Sequence, residues 1–101
     1  MKLLTKNLEK KLPPLYAAEK EKDPLVIVKF FTPWSNWTWY GTEYDPKERI
    51  FFGYVIGLEK ELGYFSLDEL ESLRGPWGLK VERDKHFDPV PLSKIKSGQV
   101  I

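Results

Sequence analysis

Three stretches decide the fold: Leu25–Thr32 (LVIVKFFT), Trp37–Tyr44 (WTWYGTEY) and Ile50–Gly57 (IFFGYVIG). All are dense in β-branched and aromatic residues, which pack well on a pleated surface. The first is almost continuously apolar, with Lys29 its only charge, and predicts an inner strand covered on both faces. The second alternates, setting Trp37, Trp39 and Gly41 on one side and Thr38, Tyr40 and Thr42 on the other. The third sets Ile50, Phe52, Tyr54 and Ile56 against Phe51 and Val55. Its Gly53 marks a bulge or a close approach of a neighbouring ring. Pro33-Trp34-Ser35-Asn36 and Asp45-Pro46-Lys47-Glu48 separate the three stretches. Links this short join antiparallel neighbours.

Working outward, Glu59–Gly63 is expected to turn the chain into a short strand at Tyr64-Phe65, and Leu79–Arg83 reads as a last strand. Before the sheet, Thr5 is placed to cap a helix whose Leu4, Leu8 and Leu12 recur every four residues, with Pro13-Pro14 as its stop. After it, Ser66 and Glu69 form a capping box, with Phe65 and Leu70 at the positions of a hydrophobic staple. Leu67, Leu70 and Leu73 give that helix its buried stripe, Gly75-Pro76 ends it, and Gly75-Pro76-Trp77-Gly78 reads as a turn. Residues 17–24 read as a loop and Asp88–Ile101 as an extended tail. The expected fold is α+β: a mostly antiparallel sheet of four to five strands with two short helices packed on it. It forms a single domain over residues 1–92, followed by a C-terminal tail, 93–101, that frays.

Composition removes several kinds of chemistry. The 101 residues contain no cysteine and one histidine, which excludes a disulfide framework, a cysteine nucleophile and a cysteine-based metal site. Sixteen basic residues against fifteen acidic ones leave a net charge of +1, without the basic stripe that sequence-independent DNA binding requires. The apolar runs are too short to cross a membrane, and a cytoplasmic setting is expected. The histidine, His86, would have to serve any triad, yet no G-x-S-x-G elbow is present and Ser66 is already an N-cap. Asp84, His86 and Asp88 would share a face if they lay on one strand, but Pro89 ends regular structure there, so no metal or other cofactor is expected. Glu43, Asp45 and Glu48 gather at a turn with no apolar setting to give one of them acid–base character. No phosphate-binding glycine loop occurs. The balance leans against an enzyme.

One feature exceeds what a small core demands. Phe30–Tyr40 (FFTPWSNWTWY) places three tryptophans within six residues, and Trp77 adds a fourth. Alternation puts Trp37 and Trp39 on one side, and both are expected in the core. Trp34 and Asn36 occupy a turn and Trp77 follows the helix stop, where recognition residues commonly sit. Trp34, Asn36, Arg74, Trp77 and Arg83 are therefore the candidate binding residues. Exposed rings here suit a protein interface; the alternative is a nucleotide or nucleic acid stacked on tryptophan beside Arg or Lys. The expected partner is a protein or a small nucleotide, with the chain a monomer or weak homodimer.

The strings KFFTPWSNWTWY and FFGYVIGLEKELGYFSLDELESLRGP, followed by LKVERD, resemble a small single-domain family of unknown function. That family is carried on bacterial conjugative plasmids, integrative elements and phages. The likeness begins at LLTKNLEKKLPPLYA and runs to about Pro91, leaving Ser93–Ile101 unmatched. It implies a cytosolic accessory protein of a mobile genetic element; together with the aromatic surface, the expected function is non-enzymatic binding of a host or plasmid protein. The likeness implies no reaction and carries over no catalytic residues.

Overall fold

A computed structural model describes residues 2–17 and 21–99. The elements run α1 (Lys6–Lys11), β1 (Leu25–Val26), β2 (Val28–Phe31), β3 (Thr38–Asp45), β4 (Ile50–Ile56), β5 (Lys60–Ser66), α2 (Leu67–Ser72), β6 (Glu82–Arg83), β7 (Val90–Pro91) and α3 (Leu92–Lys96). Strands β5-β4-β3-β2-β6 form one antiparallel sheet, and β1-β7 form a second. The fold is α+β.

The stretch expected as one strand is divided. Leu25 and Val26 pair with Pro91 and Val90, whereas Val28–Phe31 pairs with Thr38–Gly41. Between them Ile27 donates its N–H to the Gly41 carbonyl at 2.9 Å. One run of apolar residues thus serves two sheets, which explains why it alternates so little. Lys29 reaches Asp84 at 3.7 Å.

The two faces of the large sheet carry separate cores. On one, Phe30, Trp39, Phe51 and Phe65 meet Leu3, Leu4 and Leu12 around α1 and Leu67 and Leu70 of α2. Phe51 stacks on Phe65 at 5.0 Å and meets Phe30 edge-on at 5.4 Å. On the other face, Tyr40 and Tyr54 lie beneath Val26, Leu92 and Ile95. Burial raises the pKa of the Tyr40 hydroxyl, with the nearby Asp84 charge adding to it.

Further sequence expectations need correction. The last strand, expected over Leu79–Arg83, is only Glu82–Arg83. The β4–β5 link is tighter than Glu59–Gly63: Ile56 pairs with Lys60, so the turn occupies residues 57–59 and Glu61–Gly63 lies within a full-length β5. The tail expected to be extended is not. Val90–Pro91 closes the small sheet and Leu92–Lys96 is helical, with Leu92 and Ile95 buried. Each such side chain stabilises by about 1.5–3 kcal/mol when removed from water, enough to dock a helix of this length. Val100 and Ile101 lie outside the described residues.

Local signals held where they were chemical. Thr5 Oγ1 accepts from the Leu8 N–H at 3.3 Å, and Ser66 Oγ accepts from the Glu69 N–H at 3.2 Å. Leu4 and Leu12, however, flank α1 rather than lying within it. Gly53 faces Gly41 across the ladder, immediately before the register shifts between Gly41 and Glu43. A methyl group on Gly53 would strike the Tyr40 carbonyl oxygen. It is therefore backbone, and not a ring, that closes on this glycine.

Candidate functional site

The β2–β3 and β4–β5 turns meet at one end of the sheet, where α2 also ends. Thr32, Trp34, Ser35, Trp37, Trp39, Leu73 and Arg74 line a groove of about 430 Å³ there. The turn is held from within: Thr32 donates its N–H to the Trp37 carbonyl at 3.1 Å, Ser35 donates its N–H to the Thr32 carbonyl, and the Thr32 and Ser35 hydroxyls share a short hydrogen bond.

Two glycines seat two of the indoles. Trp37 packs over Gly57 of the β4–β5 turn, and Trp34 packs over Gly75 just after α2; a methyl group on either glycine would collide with ring carbons. Trp37 also stacks on Trp39, with centroids 5.8 Å apart and planes 27° apart. The two tryptophans share a face, as alternation requires, but not a fate. Trp39 is 7% exposed and Trp37 38%. Trp37 precedes the first residue of β3, so Trp39 and Gly57 cover its inner face and its outer face meets solvent. The expectation that both would be core is corrected for Trp37. Trp34 is half-buried against the main core.

Trp77 stands apart, 99% exposed. The Gly75 N–H donates to the Leu79 carbonyl at 2.7 Å, the Leu79 N–H donates to the Pro76 carbonyl at 3.2 Å, and the backbones of Arg74 and Lys80 pair antiparallel. Trp77 (φ 61°) and Gly78 (φ 75°) are both left-handed, and the Arg74–Lys80 pairing leaves Pro76, Trp77 and Gly78 as a three-residue hairpin loop with Trp77 at its tip. Asn, Asp or Gly normally fills that position, because a β-carbon there crowds the next carbonyl. Leu73, Leu79 and, on the β4–β5 turn, Leu58 are also exposed.

The candidate residues are thus distributed over the molecule. Trp34 and Arg74 meet in the groove, Asn36 is an exposed residue of the adjoining turn, and Trp77 tips the hairpin that follows. Arg74 Nη1 donates to the Glu71 and Leu73 carbonyls at 2.7 and 2.9 Å, closing the C-terminus of α2. Arg83 lies elsewhere, donating from Nη1 to the Lys2 and Leu3 carbonyls, and so ties the N-terminal segment to β6. Sequence reading missed Trp37, Leu58, Leu73 and Leu79 as surface residues. Strand alternation tells which face a residue takes, not where the covering layer stops.

β6 ends at Arg83, so Asp84, His86 and Asp88 do not share a strand face. Asp84 is engaged by Lys29 and accepts the His86 N–H at 2.9 Å. Among the described residues, no three His, Asp or Glu side chains gather as a metal site.

Beside the small sheet, a second cleft of about 310 Å³ is lined by Tyr16, Phe52, Leu62, Tyr64, Leu92 and Glu43, among others. Glu43 is buried, which its neighbours in sequence did not suggest, and its Oε1 accepts the Tyr16 N–H at 3.1 Å. That carboxylate anchors the α1–β1 connection.

The family model described as Protein of unknown function (DUF2958) matches residues 3–96. The chain belongs to the DUF2958 family. The match extends beyond Pro91 through α3, consistent with the helix being part of the folded unit rather than a loose tail. No curated protein and no solved structure matches the chain. DUF2958 membership brings with it no reaction, ligand or partner.

Proposed function

We propose that this DUF2958 member is a non-enzymatic binding protein, a cytoplasmic accessory of a mobile genetic element, which engages a host or plasmid protein through the aromatic end of its sheet. The observation that carries this reading is Trp77. A fully exposed indole gains no packing on folding, and here it also occupies a left-handed position that favours Asn or Gly. Neither feature serves the core. Strain of this kind collects where a side chain must be presented, and tryptophan is the residue most enriched at interface anchors. Leu73, Leu79 and Trp37 extend the apolar surface, and Arg74 gives it a polar rim.

A nucleotide reading rests on the exposed outer face of Trp37 beside Arg74, where a base could stack. It is weakened by the commitment of Arg74 Nη1 to two backbone carbonyls.

The test compares the immobilised wild-type protein with the Trp77→Asn variant, which keeps the turn. Lysates of plasmid-bearing cells are passed over both, and retained proteins are quantified by mass spectrometry. The protein reading expects a partner held by the wild type and lost from the variant. Equal retention by both overturns it. Saturable quenching of tryptophan fluorescence by a nucleotide, insensitive to Trp77→Asn, would favour the groove instead.

A further inference from the structure

β5 is an edge strand of the five-stranded sheet, paired with β4 along its whole length from Lys60 to Ser66. Such edges are normally blunted by proline, bulges or charge. Lys60 and Glu61 guard one end, but Leu62–Ser66 contains no charge and no proline, and the β4–β5 register has no bulge. Leu62 and Tyr64 point to the same face and are 46% and 56% exposed. Gly63, between them, has open space where a side chain would stand and no left-handed φ to require glycine.

The backbone polarity of the edge is fixed by the residue that follows. Leu67 donates its N–H to the Arg49 carbonyl on the β4 side at 2.9 Å. Antiparallel alternation then turns the backbone groups of Glu61, Gly63 and Phe65 towards β4 and those of the even-numbered residues from Lys60 to Ser66 outward.

We propose that this edge is a self-complementary interface, through which β5 pairs antiparallel with β5 of a second copy about a two-fold axis at Gly63. Lys60 then lies opposite Ser66 of the second copy, Leu62 opposite its Tyr64, and Gly63 opposite its Gly63. This register pairs every residue of β5, and a shift by two in either direction leaves residues unpaired. It matches each half-exposed apolar side chain with the other, and apolar or aromatic cross-strand pairs of this type stabilise sheets. Such isologous contacts are the commonest route to a dimer. A second copy is therefore the occupant the edge fits, because Leu62 and Tyr64, the half-exposed apolar side chains of β5, each meet the other across the axis.

The chain has no cysteine, so one introduced thiol reports the register cleanly. At a non-hydrogen-bonded pair on the axis the two Cα atoms approach to about 4.5 Å, within the span of a disulfide. Gly63→Cys is expected to cross-link into a covalent dimer on mild oxidation. Glu61→Cys is expected not to, since the two copies of residue 61 stand about 13 Å apart along the strands. Leu62→Lys with Tyr64→Lys sets like charges opposite one another and is expected to dissociate the dimer in analytical ultracentrifugation. Leu62→Glu with Tyr64→Lys sets opposite charges there and is expected to keep it. The proposal is overturned if Gly63→Cys cross-links no better than Glu61→Cys, if the wild type sediments as a monomer up to its solubility limit, or if both charge variants dissociate alike. Recovery of a different protein cross-linked at residue 63 in place of a second copy would overturn it equally.

Discussion

The indole of Trp34 occupies the space that a side chain at Gly75 would need. This contact joins the β2–β3 turn to the segment leaving α2, and so connects the groove to the hairpin that carries Trp77. The ring is rigid, half-buried and packed on the core, and has little room to give way. Gly75→Ala is therefore expected to cost about 1–3 kcal/mol, the usual range for overpacking. Gly63→Ala provides the contrast, because nothing lies above that glycine. There the loss of unfolded-state entropy should stabilise by about 0.4–1 kcal/mol. Urea denaturation of the two variants measures both, and a Gly75→Ala midpoint equal to that of the wild type would mean that the indole moves aside freely.

The parts of this fold legible from sequence were those set by local chemistry. The hydroxyls of Thr5 and Ser66 each had a backbone N–H three residues ahead to accept from, and alternation correctly divided the side chains of β3 and β4 between two faces as far as the register shift after Gly41. What stayed hidden depends on distant partners. β7 is two residues long, and its residues become a strand only because Leu25 and Val26 are there to pair with them. α3 lacks a side-chain cap of its own residue, since Pro91 occupies that position. In the candidate site, exposure at Trp34 and Trp77 was inferred from turn residues. The exposure of Trp37 was missed because it depends on where α2 stops.

Asp23 supplies what Pro91 cannot. Its Oδ1 accepts the Ser93 N–H at 2.8 Å and its Oδ2 accepts the Ser93 hydroxyl at 2.6 Å. Those hydrogen bonds hold the carboxyl below its ordinary value of 3.8, with Lys96 adding a smaller attraction. The sign follows from the ionised form being favoured in the fold. The contribution is complete above the unfolded-state value and is lost as the pH falls through the lower, folded value. Acidification below about pH 4 is therefore expected to loosen α3 before the large sheet. Asp23→Ala should show the same loosening at neutral pH. Amide exchange of Ile95 and Lys96 compared with Tyr40 follows both, and uniform loss across the chain would refute a local role.

The strain at Trp77 can be separated from the ring that bears it. In the left-handed region an L-residue pays about 1–2 kcal/mol for its β-carbon, and Asn largely escapes this by local hydrogen bonding. Trp77→Asn is accordingly expected to stabilise the protein by about 1 kcal/mol in thermal or urea melts. Trp77→Ala removes the indole but keeps the β-carbon in the same geometry, and should gain much less. The difference between the two variants isolates the backbone term, because both expose the same turn and neither loses a buried contact from an indole that is 99% exposed. If Ala and Asn stabilise equally, the ring and not the turn is the source, and the indole must make unfavourable contact with water alone. If neither stabilises, residues 76–79 relax out of the left-handed conformation in solution, and the argument that Trp77 is held out for a partner loses its physical basis.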